Sequence, residues 1–180
     1  LEGWLEYISA GQQGTGKLAT RTHHPRWIVE AYSQVLPPTE LEAALEANNI
    51  APTTTLVVRP GLAERDTIEE GGQPTPHSPF GLVREGNPAD LREVRQGRMG
   101  VQDEGSQLMA LMLAATPTAR DLLDAPWGDL CAGPGGKAAL LTGLARQQGV
   151  ELVAGEVAPH RARLVARALG AYPDGWTVMV

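Results

Sequence analysis

Asp129-Leu130-Cys131-Ala132-Gly133-Pro134-Gly135-Gly136-Lys137 follows a short run that starts at Trp127 and leads into the apolar segment 138–148. That order reads as a strand over 127–131, a glycine-rich turn, and a helix over 135–148. Glycine lets the backbone approach a ligand closely, and the N-terminus of the following helix offers free N–H groups with a partial positive charge. A loop of this kind at the carboxyl end of a parallel strand is where α/β proteins hold nucleotide-like ligands. Further on, 151–156 reads as a second strand, 159–169 as a helix and 176–180 as a third strand. The alternation implies βαβ units and a parallel sheet. Glu156, twenty positions after Gly136, falls at the end of the second strand, where an acidic side chain can take ribose hydroxyls.

Two other nucleotide loops do not fit. A dinucleotide-binding G-x-G-x-x-G starting at Gly133 needs glycine at 138, which is Ala138. A Walker A loop ending in Gly136-Lys137 needs glycine at 131 and a hydroxyl at 138, and finds Cys131 and Ala138. Gly11-Gln12-Gln13-Gly14-Thr15-Gly16-Lys17 does spell G-x-x-x-x-G-K, but Leu18 stands where the Mg²⁺-binding hydroxyl belongs. No long apolar helix follows it before Pro25, so residues 1–22 read as a linker. For 131–137, a tight turn with no ligand stays open beside the ligand reading.

Upstream, Trp27, Ile28, Ala31, Tyr32, Val35 and Leu36 recur at helical spacing after Pro25, and Pro37-Pro38 should stop that helix. Thr39 with Glu42 spells a capping box for a second helix ending near Asn48-Asn49. The β-branched stretch 53–59 reads as a strand, 63–70 as a short helix closed by Gly71-Gly72, and 80–84 as a strand. Asn87-Pro88 should cap a brief helix to Gln96, stopped by Gly97, and 107–115 reads as an apolar helix. The organisation expected is therefore a linker over 1–22, a small α+β domain over 23–98 and an α/β domain over 99–180. Three strands make half of a doubly wound sheet of about six. Parallel strands are normally buried on both faces, so the natural protein is expected to continue beyond Val180.

With 180 residues, 42% hydrophobic and 20% charged, the chain has a globular composition. No run approaches the ~20 apolar residues of a membrane-spanning helix, and the start, Leu1-Glu2-Gly3-Trp4, has no leader-like pattern. A cytoplasmic protein is expected. Cys131 is the one cysteine, which excludes an internal disulfide and a cysteine-rich zinc site. His23, His24, His77 and His160 have no ligand spacing, so no metal is expected. The net charge of −6 argues against a general basic surface for nucleic acid, while leaving local patches at Arg84, Arg92, Arg95 and Arg98, and at Arg161, Arg163 and Arg167. For both patches a solvated helix face is the commoner explanation, ahead of RNA contact. Trp4, Trp27, Trp127 and Trp176 read as packing residues.

The nine residues 129–137 closely resemble the S-adenosylmethionine motif of the RNA cytosine-5 methyltransferases, especially the bacterial 16S ribosomal RNA methyltransferase B group, also called Sun or Fmu proteins. Other segments resemble that family in order. His24-Pro25-Arg26-Trp27 is similar to its HPxW motif, and Asn48-Asn49, Pro52 and Leu56-Val57-Val58-Arg59 to its NN…P…LRVN segment. Val101-Gln102-Asp103-Glu104-Gly105-Ser106-Gln107 is similar to its VQDxxSQ signature.

The resemblance implies an α/β fold: the first half of a Rossmann-like class I methyltransferase domain, preceded by a small RNA-recognition-like α+β domain. It implies S-adenosylmethionine as cofactor, held by Cys131, Ala132, Gly133, Pro134, Gly135, Gly136 and Lys137, with Glu156 on the ribose. Arg161 resembles part of a DxxxxR element, although an Arg on a helix surface is the commoner explanation. The implied reaction is methylation of cytosine C5 in 16S ribosomal RNA, with no membrane or metal partner. In that chemistry a cysteine thiolate adds to C6 so that C5 becomes nucleophilic. The family's PC and TC elements, which carry the nucleophile and a second cysteine, are expected beyond Val180. No catalytic residue is therefore assigned within this chain, and the 180 residues alone are expected to be inactive. A noncatalytic RNA-binding or assembly module with the same fold remains the alternative.

Overall fold

The structure, a computed structural model, describes residues 14–68, 71–116 and 125–180. It divides into two compact units, Leu1–Pro52 and Thr53–Val180.

In the first unit, helices α1 (Thr15–Arg21), α2 (Arg26–Ser33) and α3 (Pro38–Asn48) close over Ala19, Val29, Leu41 and Leu45. Asn49 Nδ2 donates to the Thr22 carbonyl at 2.7 Å, which ties the end of α3 to the end of α1. Residues 15–21 of the expected linker are thus helical, with Gly16 and Lys17 inside α1 rather than in a phosphate loop. Residues 1–13 and Trp4 lie outside the described residues. The capping box at Thr39 is not made: Pro38 takes the first helical position, its fixed φ starting the helix two residues earlier than a Thr39 cap would, and no side chain caps it. Trp27, read as a packing residue, is 69% exposed because the apolar face of α2 turns Val29 inward.

The second unit holds two sheets. Strands β1 (Thr54–Val58), β2 (Gln73–Pro74), β3 (Gly81–Arg84) and β4 (Met99–Val101) form an antiparallel sheet in the order β2-β3-β1-β4. Because β4 pairs with β1, this sheet crosses the expected boundary between residues 98 and 99. The expected helix over 63–70 is a 3-10 turn, Arg65–Thr67, entered through an extended Glu64; residues 69–70 lie outside the described residues. Asn87 does cap, accepting from the Ala89 N–H at 3.0 Å. The turn it caps, Pro88–Asp90, is separated from helix α4 (Arg92–Arg95) by an extended Leu91.

Helix α5 (Glu104–Ala115) then leads to strand β5 (Trp127–Asp129), helix α6 (Gly136–Gln147), strand β6 (Leu152–Gly155), helix α7 (Pro159–Leu169) and strand β7 (Trp176–Met179). The three strands are parallel, in the order β5-β6-β7. Alternation along β1 joins the two layers: Leu56 and Val58 face a core with Leu82, Leu91 and Met99, while Val57 faces the core of the parallel half. Helix α6 is buried from Ala138 through Ala145, a run rich in Ala and Leu that packs all round. Burying Leu140, Leu152 or Leu169 each contributes about 1.5–3 kcal/mol. The loop before α6 is therefore carried by a helix that cannot shift without disturbing the core.

Candidate functional site

The loop 130–135 leaves β5 at Asp129, whose Oδ1 accepts from the Cys131 N–H at 3.2 Å. One residue on, the Ala132 N–H donates to the Gly155 carbonyl at 2.9 Å, pinning the loop to the end of β6. Ala132 and Gly135 are buried, whereas Cys131, Pro134, Gly136 and Lys137 are exposed. The Cys131 thiol is free.

Two glycines are required by contact. At Gly133 a Cβ would overlap Glu156 Oε2 and come within 2.9 Å of Arg161 Nε. Gly135 has φ +112° as the N-cap of α6, and a Cβ there would come within 2.7 Å of Ala168 Cβ and 3.1 Å of the Val165 Cα on α7. The loop thus lies between the N-terminus of α6 and the side of α7, with the first N–H groups of α6 lacking partners inside the helix.

Glu156 follows β6 and is 6% exposed. Its Oε1 accepts from the Ala158 N–H at 3.0 Å, and its Oε2 lies 3.4 Å from Arg161 Nε. Arg161 Nη2 in turn donates to the Gly133 carbonyl at 2.7 Å. The structure therefore brings Glu156 against the glycine loop, as the spacing predicts, and makes Arg161 the clamp between them rather than a plain surface cation. A carboxylate has about four acceptor positions, so two contacts leave capacity for a ligand.

Sequence reasoning missed the polar groups that hold α5 to the antiparallel sheet. Asp103 caps α5, accepting from the Ser106 N–H at 2.8 Å, and these hydrogen bonds hold its carboxyl below the usual aspartate range. Glu104 Oε1 accepts from the N–H groups of His77 and Ser78 at 2.7 and 2.8 Å. Gln107, fully buried, donates to the carbonyls of Leu56 (3.1 Å) and Gln102 (2.9 Å) and accepts from Ser78 Oγ at 2.6 Å. Gln102 is buried beside Gly136, with its Nε2 3.9 Å from where a Cβ on that glycine would stand, and its Oε1 has no partner. The signal was the pair of glutamines five residues apart, although the other partners of Gln107, Leu56 and Ser78, are far away in sequence.

Of the arginine patches, Arg98 pairs with Glu93 at 3.0 Å and Arg95 donates to the Ala89 and Asp90 carbonyls. Among the described residues no group of three or more His, Cys, Asp or Glu side chains is placed to hold a metal ion. No described helix is long and apolar enough to cross a membrane.

The fold is similar to that of a solved methyltransferase homologue from Pyrococcus horikoshii. The two superpose with a TM-score of 0.63 at 20% identity, covering 92% of this chain and 55% of that one. No protein-family model matches the chain. The protein of Mycobacterium tuberculosis named "Putative methyltransferase Rv1407" is 43% identical over 149 residues, which are 80% of this chain and 32% of that protein. The Ribosomal RNA small subunit methyltransferase B of Pseudomonas syringae pv. tomato is 34% identical over 127 residues, 65% of this chain and 27% of that protein. The chain is thus a homologue of methyltransferases, ribosomal RNA small subunit methyltransferase B among them, as its motifs indicated. It spans about a third or less of the length of these curated relatives.

Proposed function

We propose that this chain supplies the cofactor loop, and part of the RNA-binding surface, of an S-adenosylmethionine-dependent enzyme that methylates cytosine C5 in 16S ribosomal RNA in the cytoplasm. On this reading 99–180 is the first half of a Rossmann-like methyltransferase domain, and the α+β segment before it is RNA-recognition-like. The observation that carries the proposal is the Glu156 carboxylate against Gly133, at the mouth of the loop that starts α6.

The residues fit the cofactor's chemistry. Glu156 has acceptor capacity for the two ribose hydroxyls. The free N–H groups at the start of α6 suit a carboxylate. Gln102 Oε1 is a buried acceptor without a partner, suited to an ammonium group. When bound, S-adenosylmethionine supplies a methyl group on a sulfonium. Residues 131–137 would hold and orient it, Arg161 would keep Glu156 and the Gly133 carbonyl in register, and the absence of side chains at 133 and 135 would let the ligand lie against the backbone. Cys131 belongs to this loop, and the proposal gives it no nucleophilic role.

Calorimetry with S-adenosylhomocysteine tests the assignment. Glu156→Ala removes up to two hydrogen bonds to a carboxylate, each worth about 1.5–3 kcal/mol at most. Affinity is therefore expected to fall at least tenfold. Unchanged affinity would remove Glu156 from the ribose role. Cys131→Ser is expected to leave affinity close to the parent value.

A further inference from the structure

We infer that the groove between β4 and the C-terminal end of α7, floored by Arg59, is a second anion site and takes a phosphate group. It lies within the second unit, has a volume of about 670 Å³, and is lined by Arg59, Arg95 and Arg167 with no acidic residue in its wall.

Arg59 directly follows β1, the strand that joins the two cores, and is 9% exposed. Its Nη1 donates to the carbonyls of Gly97 at 2.8 Å and Ala168 at 2.7 Å. Its Nε is buried with no partner. Among the described residues no carboxylate pairs with Arg59, Arg95 or Arg167; Glu93, the nearest acidic residue on α4, is taken by Arg98.

Capping the end of α7 explains one nitrogen of the guanidinium but not the rest. A buried N–H left unpaired costs more than most folds keep without reason. The walls are also open where they need to be. A Cβ at Gly100 would stand 3.4 Å from Arg59 Nη2, and one at Gly97 3.5 Å from Nη1, so glycine at both positions keeps the planar donor face uncovered. Gly97 also has φ +70°, which disfavours any side chain there.

With Nη1 bonded and Nε closed off, Nη2 beside Gly100 is the Arg59 donor left to the groove, and with the two further arginines it matches the oxygens of a phosphate. The groove has room for groups on either side of that phosphate, which favours a diester of a polynucleotide over a free ion. The site stands on geometry separate from the cofactor loop, and it rests on the RNA reading only for the source of the phosphate.

The test follows the Arg59 Nε–H signal of the ¹⁵N-labelled chain by NMR. Inorganic phosphate and a short single-stranded RNA are added, with sodium chloride at matched ionic strength as the reference. The expected result is a saturable shift with both probes, tighter for RNA, and weakened about tenfold in Arg167→Gln. Arg95→Gln should weaken it in the same direction. Saturation by inorganic phosphate with no competition from RNA would support the anion site and assign it to a small phosphate compound, against the RNA source. No shift beyond that given by chloride, or equal shifts in the parent and both variants, would overturn the site. S-adenosylhomocysteine binding, measured on the same samples, stays at the parent value in every case if the cofactor reading holds, so the two readings fail separately.

Discussion

The two sheets of the larger unit are held to their surroundings by different physics. The antiparallel sheet is attached through buried side chains bonded to backbone: Gln107 to Leu56 and Gln102, Arg59 to Gly97 and Ala168, and Tyr172 Oη to the Pro60 carbonyl at 3.2 Å. The parallel sheet presents its loop through absent side chains, Gly133 under Glu156 and Gly135 against α7, with one half-exposed clamp from Arg161. Polar straps fail by leaving buried groups unpaired, whereas a glycine cradle fails by collision. The first kind of failure should lower stability, and the second should distort the site.

The largest effect is expected at Gln107. Changing Gln107→Leu keeps the volume but removes the acceptor of the Ser78 hydroxyl proton and the donor to the Leu56 and Gln102 carbonyls. At about 1–3 kcal/mol for each unsatisfied group, thermal or urea unfolding should show a loss of about 3 kcal/mol or more. A loss under about 1 kcal/mol would mean that the straps are ornaments on an apolar junction.

Gly135→Ala comes next, because it combines a positive φ with a collision against Ala168 and the Val165 backbone. A cost of about 2–3 kcal/mol is expected, together with loss of S-adenosylhomocysteine binding. Retained affinity in a destabilised variant would break the contrast between the two regions.

Arg161→Gln should cost about 1 kcal/mol or less in stability, since its side chain is 47% exposed, but should weaken the cofactor several-fold by releasing Glu156. Equal parent and variant affinities would demote Arg161 to a surface charge.

The smallest effect concerns pH. Asp103 has its carboxyl lowered by the Ser106 hydrogen bonds, so its contribution is present above the ordinary aspartate range and is lost as pH falls through the lower native value. Asp103→Ala should therefore cost about 1 kcal/mol near neutral pH and progressively less in acid, while Asp103→Asn should cost little at any pH. A pH-independent deficit for Asp103→Ala would contradict this.

How far the sequence reached follows the same division. The alternating half was legible because Leu152, Ala154, Val165 and Leu169 each follow the period of their element, and because a glycine run between strand and helix has few meanings. Strands β2 and β4 were not, since two or three residues, one of them Pro74, carry no period. The helix expected at 63–70 failed because Ala63 and Ile68 pack on the antiparallel sheet from an irregular turn. At the site, Glu156 was legible from an offset in sequence. Arg161 as clamp, Gln102 at the loop and Arg59 in its groove depend on residues 28 to 109 positions apart, or on a fold not yet known, and no local pattern encodes them.

The central claim is that residues 131–137 and Glu156 form one ligand cradle. It is tested most directly by adding S-adenosylmethionine to the ¹⁵N-labelled chain and mapping backbone amide shifts, with Gly133→Ala as the control. Saturable shifts at Ala132, Gly133, Gly135 to Ala138, Glu156 and Ala158, abolished by Gly133→Ala, are the predicted result. No saturable shift in the parent chain, shifts centred elsewhere, or the same shifts surviving in Gly133→Ala would contradict it.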